Sequence, residues 1–226
     1  MHCAGLAYLP VSRKIKGVIF DLDGVLCRTD RLHFAAWQVF CRRHRLPFSE
    51  ALNKKLLGRS RMESLKIILG DRAGEYSPAE LVRLGDEKNA LYRALLLKMA
   101  PADLPEESRR VLPALRARGL LLAVGSSSQN TALILERLGL SDYFDAVADG
   151  TMITRAKPDP EVFLLAARLL GLAPSEALVA EDAAAGIEAA AAGGFPSAGL
   201  GEAAKSPLVT HPLETLSDLL CLPELQ

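Results

Sequence analysis

Short apolar runs that stop abruptly at polar residues predict four strands. The runs are Val18–Phe20, Leu120–Val124, Ala146–Ala148 and Leu178–Ala180. The first stops at Asp21, and the second stops at Gly125 and Ser126. A brief apolar run without polar alternation is typical of a strand that is buried on both faces. The pattern therefore favours the interior strands of a parallel sheet.

Helical patterns separate these strands. Apolar residues recur at helical spacing in Ser108–Arg118, in Asn130–Leu138 before Gly139, and in Pro160–Leu170 before Gly171. A glycine directly after such a pattern is a common helix end. Because strands and helices alternate, we expect an α/β fold with a parallel Rossmann-like sheet flanked by helices.

The segment from Asp30 to Met99 has a different pattern. Its apolar residues keep helical spacing throughout, and it contains no convincing strand pattern. An all-helical insertion after the first strand predicts a separate cap domain over residues 30–97. The core would then consist of residues 1–29 and 98–226. The alternative is that these helices simply pack on the sheet.

Composition narrows the class of protein. The chain has 226 residues, half of them apolar, with 27 basic and 27 acidic residues. Such a chain can bury roughly 70% of the surface that its unfolded form exposes. A zero net charge argues against a broad nucleic-acid or membrane-surface footprint, which needs a basic excess. A small phosphate pocket needs only one or two cations and stays possible.

Cysteines and termini indicate the compartment. Cys3, Cys27, Cys41 and Cys221 are scattered without metal-ligand spacing, so we expect reduced thiols rather than disulfides. Residues 1–15 lack the apolar stretch of a secretory signal, and no apolar run reaches the ~20 residues of a membrane span. We therefore expect a cytoplasmic protein, and a monomer.

Polar residues follow each predicted strand. In open parallel sheets the ligand binds beyond the carboxyl ends of the strands. Those ends carry the segments Asp21-Leu22-Asp23-Gly24, Ser126-Ser127-Ser128 with Asn130, Lys157-Pro158, and Glu181-Asp182. Each segment alone is as typical of a turn or a helix cap as of a site. Together at one edge of one sheet, they favour an active site.

These residue types suit phosphoryl transfer. Asp21, Asp182 and the backbone carbonyl of Asp23 form the hard oxygen set that Mg²⁺ prefers. Asp21 is the candidate nucleophile, and Asp23 is the candidate general acid and base. Lys157 would neutralise phosphate charge, and Ser126 would bind the transferring phosphoryl oxygens. We therefore predict Asp21, Asp23, Glu181 and Asp182 as the metal site.

The four segments resemble the signature motifs of the haloacid dehalogenase superfamily of phosphotransferases. The resemblance covers about Lys16 to Gly201. Within the superfamily the chain is similar to the β-phosphoglucomutase-like subgroup, on segments such as Gly58-Arg59-Ser60-Arg61 and Ser126-Ser127-Ser128-Gln129-Asn130. The subgroup resemblance implies substrate-binding roles for Thr29, His33, Trp37, Gly58, Arg61, Ser64, Lys88, Ser127, Ser128 and Asn130.

The resemblance also implies an activity. It is a magnesium-dependent phosphomutase that interconverts β-glucose 1-phosphate and glucose 6-phosphate through an aspartyl-phosphate enzyme and a sugar bisphosphate. Arg61, with Ser128 and Asn130, would bind the far phosphate, while His33 and Lys88 would sense the sugar. Thr29 would lie in the cap hinge. The Lys157–Pro158 peptide is expected to be cis.

Several readings stay open beside this one. Trp37 fits the core of the cap as well as a sugar platform, and His33 fits a plain helix face. Leu57 and Gln129 stand where the subgroup usually has lysine, and Arg28 stands where an acid is common, which puts the sugar in doubt. A sugar-phosphate phosphatase is the main alternative. A phospho-accepting receiver would not need the helical insertion, and no G-x-G-x-x-G for a dinucleotide follows the first strand.

Overall fold

A parallel sheet forms the centre of the computed structural model, which describes residues 14–56 and 59–226. Its strands are β1 (Gly17–Phe20), β2 (Leu121–Gly125), β3 (Ala146–Ala148), β4 (Ala177–Glu181), β5 (Ser197–Gly199) and β6 (His211–Pro212). The order across the sheet is β3-β2-β1-β4-β5-β6, and every neighbouring pair is parallel. The predicted fold class is confirmed.

Helices cover the sheet and form the insertion after β1. They are α1 (Asp30–Arg43), α2 (Glu50–Lys54), α3 (Arg61–Leu69), α4 (Pro78–Leu96), α5 (Glu106–Ala117), α6 (Thr131–Arg137), α7 (Glu161–Leu170) and α8 (Ala184–Ala192). Short 3-10 helices span Gly70–Glu75, Pro101–Asp103, Pro174–Glu176, Ala203–Lys205, Leu216–Cys221 and Pro223–Leu225. The described helices include none with the length and apolar character that crossing a membrane requires.

Alternating residues of β1 enter two different hydrophobic clusters. Val18 and Phe20 pack into the larger cluster, while Ile19 packs into a second cluster with Val162 and Phe163 of α7. All three strand residues are fully buried. Because successive side chains of a strand point to opposite faces, both faces of the sheet are covered. This is the arrangement that the uninterrupted apolar runs predict.

The inserted helices have a hydrophobic cluster of their own. Trp37 and Phe40 of α1 pack with Leu65 and Ile68 of α3. The described residues between β1 and α5 form no strand, apart from an isolated bridge between Asp23 and Cys27. The division into a core and a cap at residues 30–97 stays a prediction, which this separate cluster favours.

The last two strands lack a sequence signal. Strand β5 has three residues, Ser-Ala-Gly, and β6 has two, His-Pro. Neither is an apolar run, so the sequence pattern predicts neither. They exist because β5 pairs with β4, as at Ala198 and Ala180, and thereby extends an already formed edge.

Candidate active site

The sheet register brings the strand-end residues to one edge. Phe20 of β1 is aligned with Val124 of β2 on one side and with Ala180 of β4 on the other. The residues that follow, Asp21 and Glu181, therefore lie side by side. Ser126 joins them one residue beyond β2. All three residues are buried. Their position at one edge of the sheet is the one that the sequence motifs predict.

Lys157 links two of the acids. Its ammonium nitrogen pairs with Asp21 Oδ1 and lies 2.8 Å from Glu181 Oε2. The side chain is only 10% exposed. Burial favours the neutral amine, but the charges of Asp21 and Glu181 outweigh it, so the pKa of Lys157 is raised. The lysine therefore stays charged. The peptide bond to Pro158 is cis, which confirms the expectation from the resemblance.

The acids are poised to hold a cation. Asp21, Glu181 and Asp182 each offer a carboxylate oxygen, and these oxygens lie within 4.8 Å of one another. Burial, and then the charge of Glu181, raise the pKa of Asp182 to about 7. Burial also raises the pKa of Asp21, despite Lys157. Three carboxylates against one ammonium leave excess negative charge, which a hard divalent cation would balance. The residues fit Mg²⁺.

Glu181 differs from the other two acids. Its Oε2 accepts from Lys157, and its Oε1 accepts from the backbone N–H groups of Asp182 and Ala183 at 3.1 and 3.0 Å. Its oxygens are thus already engaged by protein donors. Asp21 and Asp182 are the acids best placed to be direct ligands, while Glu181 orients Lys157.

Gly24 makes room for Asp182. Its φ of +96° lies in a region that favours glycine, and a Cβ atom there would lie 1.9 Å from Asp182 Oδ2. The D-x-D-G segment therefore needs its glycine for two reasons. The backbone conformation requires it, and so does the carboxylate of the other acidic segment.

The carboxylate of Asp23 is not part of the acid cluster. This carboxylate accepts a hydrogen bond from the hydroxyl of Thr29, which is fully buried. Burial raises the pKa of Asp23, and the Thr29 bond opposes that rise. A raised pKa suits a carboxyl group that must carry a proton. The carboxylate is therefore separate from the cluster, which is consistent with metal contact through the backbone carbonyl alone.

The loop after β2 presents polar groups in sequence. Ser126 Oγ accepts from the N–H of Ser128 at 3.1 Å, and Ser128 Oγ accepts from the N–H of Asn130 at 3.2 Å. Ser127 Oγ lies 3.5 Å from the backbone nitrogen of Lys157. The loop thereby connects the lysine segment to the start of α6.

Cap helices α1 and α4 place a second cluster beside Asp23. Lys88 Nζ lies 2.8 Å from His33 Nδ1, and the His33 ring stacks on Tyr92 with centroids 3.8 Å apart. Burial lowers the pKa of His33 to about 3, and the charges of Lys88 and Arg61 contribute. Burial also lowers the pKa of Lys88 to about 7.

Side-chain hydrogen bonds join the cap to the loop after β2, among them one from Asn130 Nδ2 to Asn89 Oδ1 of α4 at 2.9 Å. Arg61 Nη2 donates to Gln129 Oε1 at 2.5 Å, while Nη1 donates to Asp86 at 3.1 Å. Arg93 donates to Asn130 Oδ1 at 2.9 Å. Sequence reasoning did not single out Asp86 and Arg93. Arg93 lies on the same helix as Lys88, five residues further along, so its position on α4 was the available signal.

The remaining predicted residues have these placements. Trp37 is 3% exposed, packs in the cap cluster, and has Lys88 Nζ 4.8 Å from its ring centroid. Ser64 is buried on α3. Gly58 and the neighbouring Leu57 lie outside the described residues, as does Cys3. The substrate-binding roles of all the predicted residues stay predictions.

A buried lysine among strand-end carboxylates, under a helical insertion, is the arrangement of a phosphoryl-transfer enzyme. The chain belongs to the haloacid dehalogenase-like hydrolase family, whose model matches residues 15–194. This confirms the superfamily resemblance.

Relatives named for two different activities are similar to the chain. The chain is 40% identical over 190 residues to β-phosphoglucomutase of Bacillus subtilis, covering 83% of this chain and 84% of that protein. It is 33% identical over 184 residues to a phosphorylated carbohydrates phosphatase of Thermotoga maritima, covering 80% of this chain and 82% of that protein. The crystal structure of β-phosphoglucomutase from Clostridium difficile matches with a TM-score of 0.84 and 32% identity, over 91% of this chain and 93% of that one. The protein is thus a phosphoryl-transfer enzyme, either a mutase or a phosphatase.

Proposed function

We propose that the protein is a magnesium-dependent phosphomutase that interconverts β-glucose 1-phosphate and glucose 6-phosphate. The observation that carries the proposal is the pairing of Asp21 with Lys157 beneath a cap whose Arg61 reaches the loop after β2. A mutase needs both features. It must accept a phosphoryl group on one residue and hold a second phosphate elsewhere.

Asp21 begins the reaction. A carboxylate oxygen of Asp21 attacks phosphorus, and the bond from phosphorus to the leaving sugar oxygen breaks. Asp23 gives its proton to that oxygen. In the second half, Asp23 takes the proton of the acceptor hydroxyl. The deprotonated hydroxyl oxygen attacks the phosphorus of the aspartyl phosphate, and the bond from phosphorus to the Asp21 oxygen breaks.

Charge must be neutralised before two anions can meet. Lys157, held by Glu181, supplies one positive charge beside Asp21. Asp21, Asp182 and the carbonyl of Asp23 would hold Mg²⁺, which when bound supplies further positive charge at the phosphate. Ser126 would bind the phosphoryl oxygens.

The cap orients Asp23 and the sugar. The hydroxyl of Thr29 fixes the Asp23 carboxylate, and Lys88 with His33 lies on the cap side of it. The negative charge of Asp23 raises the pKa of Lys88 and thus opposes the lowering of this pKa by burial. These contacts support a role for the pair in binding sugar hydroxyls close to the acid.

Arg61 is the candidate for the far phosphate. Its forked donors suit a phosphate, and Ser128 and Asn130 lie on the loop below it. A bisphosphate that turns end for end would use this position for whichever phosphate is not reacting.

A phosphatase is the second candidate, and one observation favours it. Both terminal nitrogens of Arg61 are engaged by acceptors of the protein, Asp86 and Gln129. A far phosphate must displace at least one of them, which weakens the hold on a bisphosphate. Water could then take the phosphoryl group more often.

Product analysis separates the two candidates. The protein is incubated with β-glucose 1-phosphate, Mg²⁺ and a catalytic amount of glucose 1,6-bisphosphate, and glucose 6-phosphate is measured against free phosphate. A mutase yields mainly glucose 6-phosphate. Abundant free phosphate with little isomer would establish the phosphatase instead. Asp21→Asn should form neither product. Arg61→Ala should lose isomerisation while keeping hydrolysis of a small phosphate ester, and equal loss of both would refute the role of Arg61.

A further inference from the structure

A cavity of about 550 Å³ lies at the joint between cap and core. Both connections between the two parts line it: Arg28 comes from the first, and Lys98 and Met99 come from the second. Its volume falls in the range of small-molecule sites, about 300–1,000 Å³. It is therefore large enough for a metabolite.

The cavity lining carries a net positive charge. Three cations, Arg28, Arg31 and Lys98, face two acids, Asp30 and Asp103. Arg31 and Asp103 form a loose ion pair of 3.7 Å. Within residues 14–56 and 59–226, the side chains of Arg28 and Lys98 form no hydrogen bond or ion pair. Two cations from different connections thus line one cavity, and neither has an ion-pair partner among the described residues.

The cavity lies on the outer side of the hinge. Arg28 and Asp30 flank Thr29; they are exposed to the cavity, whereas Thr29 is fully buried and bonds to Asp23. Because neighbouring residues point in opposite directions here, a ligand in the cavity would not meet the reacting groups. It would contact the backbone that positions Thr29.

The remaining lining is apolar. Leu32 and Leu95 come from the cap helices, and Pro105 comes from the connection to α5. A bare inorganic ion would leave this surface unused. A small organic molecule with one anionic group would cover it while meeting Arg28 and Lys98.

We propose that this hinge cavity binds a small organic phosphate monoester as an effector separate from the substrate. Phosphate is favoured over carboxylate because a phosphate monoester carries a charge of about −2 and three acceptor oxygens. These match the two cations, Arg28 and Lys98, better than a single carboxylate charge does. The bound molecule joins the two connections and restrains the motion of the cap. This inference does not depend on which reaction the enzyme catalyses.

The methionines provide a direct test. The chain has four, Met1, Met62, Met99 and Met152. Met99 lines the hinge cavity, Met62 lies against Gly85 beside Arg61, and Met152 is an exposed loop residue. In the full chain with ¹³C-methyl methionine and no Mg²⁺, methyl phosphate is titrated. We expect the NMR signal of the Met99 methyl group to shift and to reach saturation, whether or not the Met62 signal shifts.

Matched charge variants decide the outcome. Arg28→Gln with Lys98→Gln should weaken the Met99 titration at least about tenfold. The control variant, Arg42→Gln with Arg168→Gln, removes the same amount of charge from exposed helix surfaces. It should leave the Met99 titration unchanged. The proposal is overturned if Met99 does not shift, if its shift does not saturate, or if both pairs weaken it equally. An equal response to acetate would overturn the choice of phosphate.

Hydrogen exchange tests the restraint. Methyl phosphate should slow amide exchange in residues 27–30 and 98–103 of the wild-type protein, and not in the Arg28→Gln, Lys98→Gln variant. Slowing only around Ser126–Asn130 would place the anion in the active site and contradict the proposal. Neither readout uses turnover, so a failed mutase assay would leave both intact.

Discussion

Lys88 of helix α4 lies 2.8 Å from Nδ1 of His33 on helix α1, and the lysine is buried while the histidine is half-buried. Two basic groups in contact cannot both be charged at low cost. Burial is the main cause of the depressed pKa values of both residues. The charge of Lys88 further lowers the pKa of His33, and the charge of Arg61 further lowers the pKa of Lys88. Burying the Lys88–His33 pair therefore lowers the stability of the folded protein. The pair lies beside the carboxyl group of Asp23, which we assign as the acid and base.

Lys88→Met should change how stability depends on pH. The pKa of Lys88 is about 7 in the folded protein, against 10.5 for an unperturbed lysine. Between these values the unfolded chain binds more protons, so the wild-type protein gains stability as pH rises, by up to about 1.4 kcal/mol per unit. The variant should lose this slope and be more stable than wild type near pH 7.

Urea unfolding at several pH values between 7 and 10 measures this difference. Lys66→Met, on the exposed side of α3, is the control and should keep the wild-type slope. Parallel curves for wild type and Lys88→Met would contradict the depressed pKa.

Lys157→Met should destabilise the metal-free protein. It leaves Asp21 and Glu181 without their buried counter-charge, and breaking such a pair costs about 3–5 kcal/mol. Turnover of a sugar phosphate should fall by at least about a thousandfold. Chemical unfolding and product assays check the two effects. Lys157→Arg should recover stability better than activity, because the charge returns in a different geometry. A fully active Lys157→Met protein would refute the assigned site.

Asp182→Asn should abolish stabilisation by magnesium. A cation that binds only the folded state raises its melting temperature by mass action. The substitution removes one carboxylate charge from the cluster that would hold that cation, but it also relieves repulsion with Glu181. The metal-free variant should therefore be at least as stable as wild type.

Melting curves with and without millimolar Mg²⁺ give the readout. Asp149→Asn changes a buried acid at the end of β3, whose carboxylate accepts a hydrogen bond from the hydroxyl of Thr151. It should keep the magnesium response. A normal response in Asp182→Asn would exclude this acid as a ligand.

Gly24→Ala should cost more than Gly70→Ala. Both glycines have positive φ, but the new Cβ at position 24 would collide with Asp182, whereas position 70 is open. Gly70→Ala should cost about 1–3 kcal/mol from the backbone alone, because its φ of +56° and ψ of −133° favour glycine. Gly24→Ala should cost more and also reduce activity. Equal losses of stability in urea would show that Asp182 moves freely.

The sequence alone determined the sheet core and the chemistry at its edge. Fully buried strands leave uninterrupted apolar runs, so Val18–Phe20 and its counterparts were readable as β1 to β4. The polar residues that follow these runs were then predicted to lie at the carboxyl edge of the sheet, namely Asp21, Ser126 and Glu181 with Asp182. Periodicity also gave the helical insertion, because an amphipathic helix repeats its apolar positions locally.

Tertiary structure alone decided what depends on distant segments meeting. Strands β5 and β6 form on the edge of an existing sheet and need no apolar run of their own. The direction of the Asp23 carboxylate is set by Thr29, and the partners of Arg61 come from α4 and from the loop after β2. The hinge cavity arises where two connections 70 residues apart in sequence, at Arg28 and Lys98, line one space. No local pattern encodes such encounters, because packing energy couples residues through space rather than along the chain.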